Sequence, residues 1–160
     1  MVDVVEESDR LVVYLDGRVF RDCARIEELA PIVYSLVELS AVNDHAFFLS
    51  IHAGVIGDQS KCVLLPAPQG SGKSTLTASL MQAGFRFSSD EVALLEQETF
   101  KVFPVPLPIC IKASGIDALT AVFPNLREYQ IHHRSDGKRV VYLPPAPASW
   151  SADDQPRPVA

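Results

Sequence analysis

Cysteine is scarce in this chain, and its scarcity excludes two whole classes of small protein. Among 160 residues there are three, Cys23, Cys62 and Cys110, widely spaced and without a Cys-x-x-Cys pair. An odd, scattered set makes neither a disulfide framework nor a zinc site, and reads as buried free thiols in a cytoplasmic protein. Positive charge is short as well: 14 Lys and Arg stand against 20 Asp and Glu, a formal net charge of −6. A general nucleic-acid or anionic-membrane surface needs clustered Lys and Arg, so neither partner is expected, although a local site for one anion remains allowed. No apolar run approaches a membrane span, and the acidic N-terminal stretch lacks the charged-then-apolar pattern of a secretory signal. No internal repeat is visible. With 48% hydrophobic and 21% charged residues, the composition is that of one globular domain with a real core.

Against these shortages stands Pro68-Gln69-Gly70-Ser71-Gly72-Lys73-Ser74-Thr75. It joins a glycine-rich turn to a lysine and two hydroxyls where a strand should hand over to a helix. The run Cys62-Val63-Leu64-Leu65 before it is short, apolar and β-favouring. After it, Ser74 to Ala83 places Leu76, Leu80 and Ala83 at i, i+4 and i+7, the expected inward stripe of a helix that Gly84 closes. Glycines let backbone N–H groups converge on a nucleotide's phosphates, and the helix N-terminus adds about half a positive charge aimed the same way. Residues Gln69 to Thr75 are thus the expected nucleotide contacts, with Lys73 reaching the β/γ-phosphates and the Ser74 hydroxyl completing a magnesium shell. The pattern is G-x-x-x-x-G-K-[ST] with Ala67 at its first position, a change that matters only if φ must be positive there.

Around this loop the chain reads as hairpins. Leu11-Val12-Val13-Tyr14 and Arg18-Val19-Phe20 flank Asp16-Gly17. A helix is expected over Pro31 to Val42, with Val33, Leu36, Val37 and Ala41 inward. A strand over Phe47 to Ile56 turns at Gly57-Asp58-Gln59-Ser60 into the strand that feeds the glycine-rich loop, so the two should be antiparallel neighbours. Phe85 to Leu95 is the next strand, with Lys101-Val102-Phe103 returning beside it. Gln130 to His132 and Arg139 to Tyr142 bracket Ser135-Asp136-Gly137 as a further hairpin. The expectation is an α/β fold with one mixed, hairpin-rich sheet and few helices over residues 1–145. The Pro/Ala/Ser/Asp composition of 146–160 reads as a disordered tail.

Phosphoryl transfer also needs a carboxylate for magnesium and a group to orient or accept the attacking hydroxyl's proton. Asp90 and Glu91, a short helix beyond the loop, are the candidates. As strand neighbours they face opposite ways unless the chain turns between them, so they should do different jobs. His52, in the strand paired with the loop's own, is a third candidate. His45, His132 and His133 read as solvated or turn-stabilising.

The succession Ile51-His52-Ala53-Gly54, Cys62-Val63-Leu64-Leu65-Pro66, Gln69-Gly70-Ser71-Gly72-Lys73-Ser74-Thr75 and Gly84-Phe85-Arg86-Phe87-Ser88-Ser89-Asp90-Glu91 resembles the core of the HPr-serine kinase/phosphorylase family, particularly its smaller HPr-kinase-related branch. The likeness runs from about residue 47 to 95. It is fainter in Val105-Pro106-Leu107-Pro108 with Lys112, and in Asp136 to Pro145. The resemblance implies a fold like phosphoenolpyruvate carboxykinase and an ATP- and Mg2+-dependent kinase acting on a serine or other hydroxyl of a small protein, peptide or metabolite. It implies catalytic roles for His52, Lys73, Asp90 and Glu91, a metal held by Ser74 and Asp90, and a homo-oligomer. Glu91 stands where the family has a second aspartate. The glycine/arginine signature that follows the acids in the family is missing, which puts phosphorolysis in doubt. The chain reads as a shortened member or an incomplete catalytic domain. A nucleotide-binding sensor without turnover is the alternative, favoured by Ala67 and Glu91. A transport-type ATPase is disfavoured, because no Leu-Ser-Gly-Gly signature follows the loop.

Overall fold

A computed structural model describes residues 1–43, 47–150 and 155–160. Positive-φ turns set up its N-terminal part. Ser8 and Asp9 adopt φ of 49° and 63°, and Asp16 and Gly17 adopt 50° and 75°. Two such residues in succession give the turn whose twist matches that of paired strands. They join β1 (Val2–Glu7) to β2 (Arg10–Leu15) and β2 to β3 (Arg18–Cys23) in an antiparallel meander. After a 3-10 turn at Ile26–Glu28, α1 (Leu29–Asn43) lies on this meander and buries Ile32 and Leu36 against Val13 and Cys23. The expected inward face of α1 is partly wrong: Leu36 is buried, but Val37 is 45% exposed. Apolar residues occupy most positions of this helix, so periodicity leaves its phase open and the meander sets it.

The expected strand over Phe47 to Ile56 is two strands, β4 (Leu49–Ile51) and β5 (Ala53–Gly57), broken at His52. β6 (Cys62–Pro66) follows a tight turn in which the Asp58 carboxylate accepts from the N–H groups of Ser60 and Lys61. These bonds hold the carboxyl well below its usual range, at about 2. Then come α2 (Lys73–Gln82), β7 (Arg86–Ser89), β8 (Ala93–Leu95) and β9 (Lys101–Phe103), the Phe85 to Leu95 strand being broken at Asp90 to Val92. β10 (Ile109–Lys112) runs into α3 (Ala113–Leu119). A 3-10 turn at Pro124–Glu128 leads to β11 (His132–His133) and β12 (Arg139–Leu143), which form the expected hairpin. The described residues of the expected disordered tail carry regular structure: Pro147–Ser149 form a 3-10 turn and β13 (Arg157–Pro158) pairs with β9. Arg157 is buried there and donates to Ser88 Oγ at 3.1 Å, an anchor that composition does not reveal.

The fold is mixed α/β and hairpin-rich, as expected, but among the described residues the single mixed sheet is replaced by four small ones, ordered β1-β2-β3, β6-β5-β7, β13-β9-β8-β4 and β10-β12-β11, and each of their strand pairs is antiparallel. An isolated bridge, Cys62 with Val159, is parallel. All three cysteines are buried free thiols, as their scarcity implied, and His45 lies outside the described residues.

β5 is buried along its whole length and carries the core on both sides. Ile56 joins Ala78, Met81, Phe87, Ile109, Ile111 and Val141, whereas Ala53 and Val55 join Cys62, Ala93, Leu95 and Val102. α2 lies over β5 on a face made by Thr77, Ala78 and Met81. The expected stripe is therefore rotated: Leu80 is half-buried against the core, but Leu76 is 49% exposed and Ala83 is exposed. Close approach to β5 explains it, because only small side chains fit between helix and strand. At Gly54 a Cβ would collide with Thr77 Oγ1 and touch Lys73 Cγ at 3.6 Å. Gly54→Ala should therefore cost about 1–3 kcal/mol in urea denaturation, as overpacking of this kind does. Thr77→Ala in the same chain should return part of that loss, and a neutral Gly54→Ala would mean that helix and strand do not meet so closely.

Candidate functional site

The sheet β6-β5-β7 decides where the chemistry can gather. β5 lies between β6 and β7 and is antiparallel to both, with Ala53 opposite Pro66 and Val55 opposite Ser89. The start of β5 and the ends of β6 and β7 therefore share one end of the sheet. His52 precedes β5, the glycine-rich loop follows β6, and Asp90 and Glu91 follow β7.

In the loop, Gly70 and Gly72 adopt φ of 87° and 91°, and Gly72 is the residue at which α2 begins. Neither would meet an obstacle at Cβ, so it is the left-handed backbone that calls for glycine at both. Ala67 is not among the positive-φ residues, so alanine costs the turn nothing there. The Ser71 N–H turns back onto the Pro68 carbonyl at 3.2 Å, and Ser71 is the one loop residue from Gln69 to Thr75 that does not line the adjoining cleft. That cleft, of about 540 Å³, is walled by the loop, His52, Glu91, β10 and the start of α3.

Lys73 is buried, and its ammonium donates to the Asp90 main-chain carbonyl at 2.7 Å. The same nitrogen lies 3.7 Å from Glu91 Oε2. His52 Nδ1 lies 3.0 Å from the Glu91 carbonyl and 3.3 Å from its Oε2. Both partners are acceptors, so Nδ1 carries the proton, and Nε2 is the acceptor of the neutral ring. The chain turns at Asp90, with the Val92 N–H donating to Ser89 Oγ at 3.2 Å. This turn resolves the problem of two neighbouring acids. Glu91 joins Lys73 and His52, while the Asp90 side chain is buried beside Ser74 and Thr77.

Both Asp90 carboxylate oxygens are buried without a partner at hydrogen-bonding geometry. Burial pushes this carboxyl up to about 6; Lys73 and the Ser74 hydroxyl pull the other way, and the Glu91 charge adds to the rise. A partnerless carboxylate beside a serine hydroxyl is the oxygen donor set that a hard divalent cation takes. The structure thus brings together His52, Lys73, Ser74, Asp90 and Glu91 with the loop. Arg134, Cys110, Ser114 and Gly115 also line the cleft, and nothing in their local sequence announces it. They arrive through the β10–α3 junction and the β11–β12 hairpin, both long-range contacts. Lys138 of that hairpin reaches Gln69 Oε1 at 3.3 Å. Burial pushes the Cys110 thiol up, so it is no ready nucleophile.

No family model matches the chain, and no curated protein or solved structure is detectably similar to it.

Because the folded state holds the Asp90 proton more tightly than the unfolded chain, the sign of its linkage is destabilising. The cost is absent below about pH 4 and grows to its full value above about pH 6. A rise from the ordinary 3.8 to about 6 corresponds to a penalty on the order of 2–3 kcal/mol at neutral pH. Asp90→Asn should therefore raise the Tm of chelator-treated protein by several degrees at pH 7.5 and leave it nearly unchanged at pH 3.5. Equal shifts at both pH values would show that the carboxylate carries no such strain.

Proposed function

We propose that this chain is an ATP- and Mg2+-dependent phosphotransferase akin to the HPr-serine kinases, acting on a serine or other hydroxyl. The observation that carries the reading is the meeting of Lys73, Asp90, Glu91 and His52 at one sheet end, against a loop with left-handed glycines at the start of a helix. Residues Gln69, Gly70, Gly72, Ser74 and Thr75 would hold the phosphates, with the α2 N-terminus favouring negative charge. Asp90 and Ser74 would hold magnesium, which when bound draws off charge that develops on the phosphate oxygens. Lys73 would exchange its contacts with the Asp90 carbonyl and Glu91 for the nucleotide's phosphates.

In the transfer, the acceptor oxygen bonds to the γ-phosphorus while the bond from that phosphorus to the bridging oxygen breaks, and the electron pair leaves with ADP. The acceptor proton passes to the Glu91 carboxylate. His52, hydrogen-bonded to Glu91, positions it. A sensor that binds nucleotide without turnover is the second reading. It is favoured by the two contacts that hold the Lys73 ammonium on Asp90 and Glu91.

Calorimetry with MgATP tests the binding half: Lys73→Ala should weaken affinity by at least tenfold, and wild-type affinity in that variant would sink the assignment. Labelled phosphate transfer tests the chemistry. Glu91→Gln should lower the rate by about 10²–10⁴-fold with little change in ATP affinity, the pattern of a group that acts in the transition state. An unimpaired Glu91→Gln would remove Glu91 from the mechanism. An inactive wild type that gains transfer as Glu91→Asp would establish the sensor.

A further inference from the structure

A second cleft, of about 490 Å³, adjoins the first, and the two share His52, Gln69, Glu91 and Arg134 as a common wall. Its other sides are β3, the flank of α1 that carries Pro31, Tyr34 and Glu38, and the β11–β12 hairpin. This volume suits a small ligand or a few residues of peptide. Gln69 of the glycine-rich loop lines both clefts, so a molecule lying in the second would meet the His52–Glu91 pair across the wall that it shares with the first. Phosphoryl transfer needs the acceptor hydroxyl and the phosphate to meet at one such corner.

The charges of this cleft are mostly spoken for. Asp22 pairs with Arg10 at 2.6 Å, Glu28 with Arg25 at 2.9 Å, and Arg134 with Asp136 at 3.2 Å. Glu91 is held by His52 and Lys73. Glu38 is different: half-buried, it has no ion-pair or hydrogen-bond partner among the described residues. It stands one helical turn beyond Tyr34 on the same flank of α1, and Tyr34 stacks on Tyr142 at 5.0 Å between ring centroids. Burial pushes the Glu38 carboxyl up and the Glu91 charge adds to this; His52, Arg134 and Lys73 pull the other way without pairing with it, so a cation placed directly beside it would be favoured. Arg21, the other charge of the cleft without a pairing partner among the described residues, is exposed on β3 and sits at the rim.

We propose that the second cleft receives the phosphoryl acceptor, and that the acceptor carries, near its hydroxyl, an ammonium or guanidinium group that pairs with Glu38. The proposal rests on the reading of His52 and Glu91 as the reacting corner. The aromatic pair of Tyr34 and Tyr142 and the apolar Phe20 and Ile32 cover the stem of such a side chain, while Glu38 meets its charged end. A lysyl or arginyl residue near a serine in a peptide has this chemistry, and so does a small amino alcohol.

The test uses short seryl peptides, identical except that lysine, glutamine or glutamate is placed in turn at each of the three positions on either side of serine. Their binding is measured by calorimetry in the presence of MgADP, with ethanolamine as the small-molecule arm. The best lysine peptide should bind about tenfold tighter than its glutamine twin, the worth of one partly buried ion pair, and the glutamate twin more weakly still. Glu38→Gln should level the series. Glu38→Lys should invert it in favour of glutamate, a reversal that loss of folding cannot produce. Ethanolamine binding that depends on Glu38 would assign the site to a small amino alcohol. No lysine peptide or ethanolamine bound through Glu38, or a lysine preference that survives Glu38→Lys, overturns the proposal. If MgATP binds but the acceptor series is flat, the acceptor cleft fails alone. If the series discriminates while MgATP does not bind, the nucleotide reading fails and the cation site stands.

Discussion

The buried ammonium of Lys73 is the interaction on which the site's geometry depends. A cation this far from water must be paired, and its partner is the main-chain carbonyl of Asp90. The bond ties the first residue of α2 to the turn after β7, so the loop before α2 and the acids after β7 cannot drift apart independently. Lys73 in turn is held from below. Its carbonyl accepts from Thr77 Oγ1 at 3.0 Å, and Gly54 in β5 is bare so that this first helical turn can lie against the strand. A glycine in one strand, a threonine in the helix and a carbonyl at the end of another strand thus form one stack. The loop, the acids and His52 all attach to it.

Stability and function pull against each other beneath that stack. Asp90 would be better solvated at the surface, yet its oxygens are buried without partners. Isolated buried carboxylates are costly, and they persist where a ligand can complete them. The neighbouring Ser74 and Thr77 hydroxyls and the Lys73 charge soften the cost without removing it, because the carboxyl is still pushed up to about 6.

What the sequence made legible was local. Asp16-Gly17, Asp58-Gln59-Ser60 and Ser135-Asp136-Gly137 each produce the turn that their residue types demand, and Gly84 ends α2 at φ 97°. The rest is set by distant partners. β1 alternates nothing, since every one of its residues is exposed, and only its pairing with β2 makes it a strand. The buried faces of α1 and α2 differ in part from the periodic ones, because each helix is apolar or small on more than one side and the neighbouring sheet selects. β10 and α3 form beside β12 and α2, the strand being a short apolar run, Ile109-Cys110-Ile111, directly after Pro104, Pro106 and Pro108. β13 is held by β9, and its arginine reaches Ser88 across 69 residues. Arg134 and Glu38 belong to this non-local class, which is why the second cleft has no signature in the chain.

The length of the acidic side chain at 91 has a geometric rationale. The turn at Ser89 to Val92 directs the Asp90 carbonyl at Lys73 and sends the Asp90 carboxylate inward, so the next residue alone can supply an acidic side chain to the cleft. From that position the carboxylate must span His52 at 3.3 Å and Lys73 at 3.7 Å. Aspartate is shorter by one carbon–carbon bond, ~1.5 Å. With the longer contact already near the limit of an ion pair, that loss would detach the carboxylate from the lysine, the histidine or both. Glu91 therefore fits a site in which His52 stands at a strand break against the Glu91 main chain, and the extra methylene lets one carboxylate reach both the histidine and the lysine.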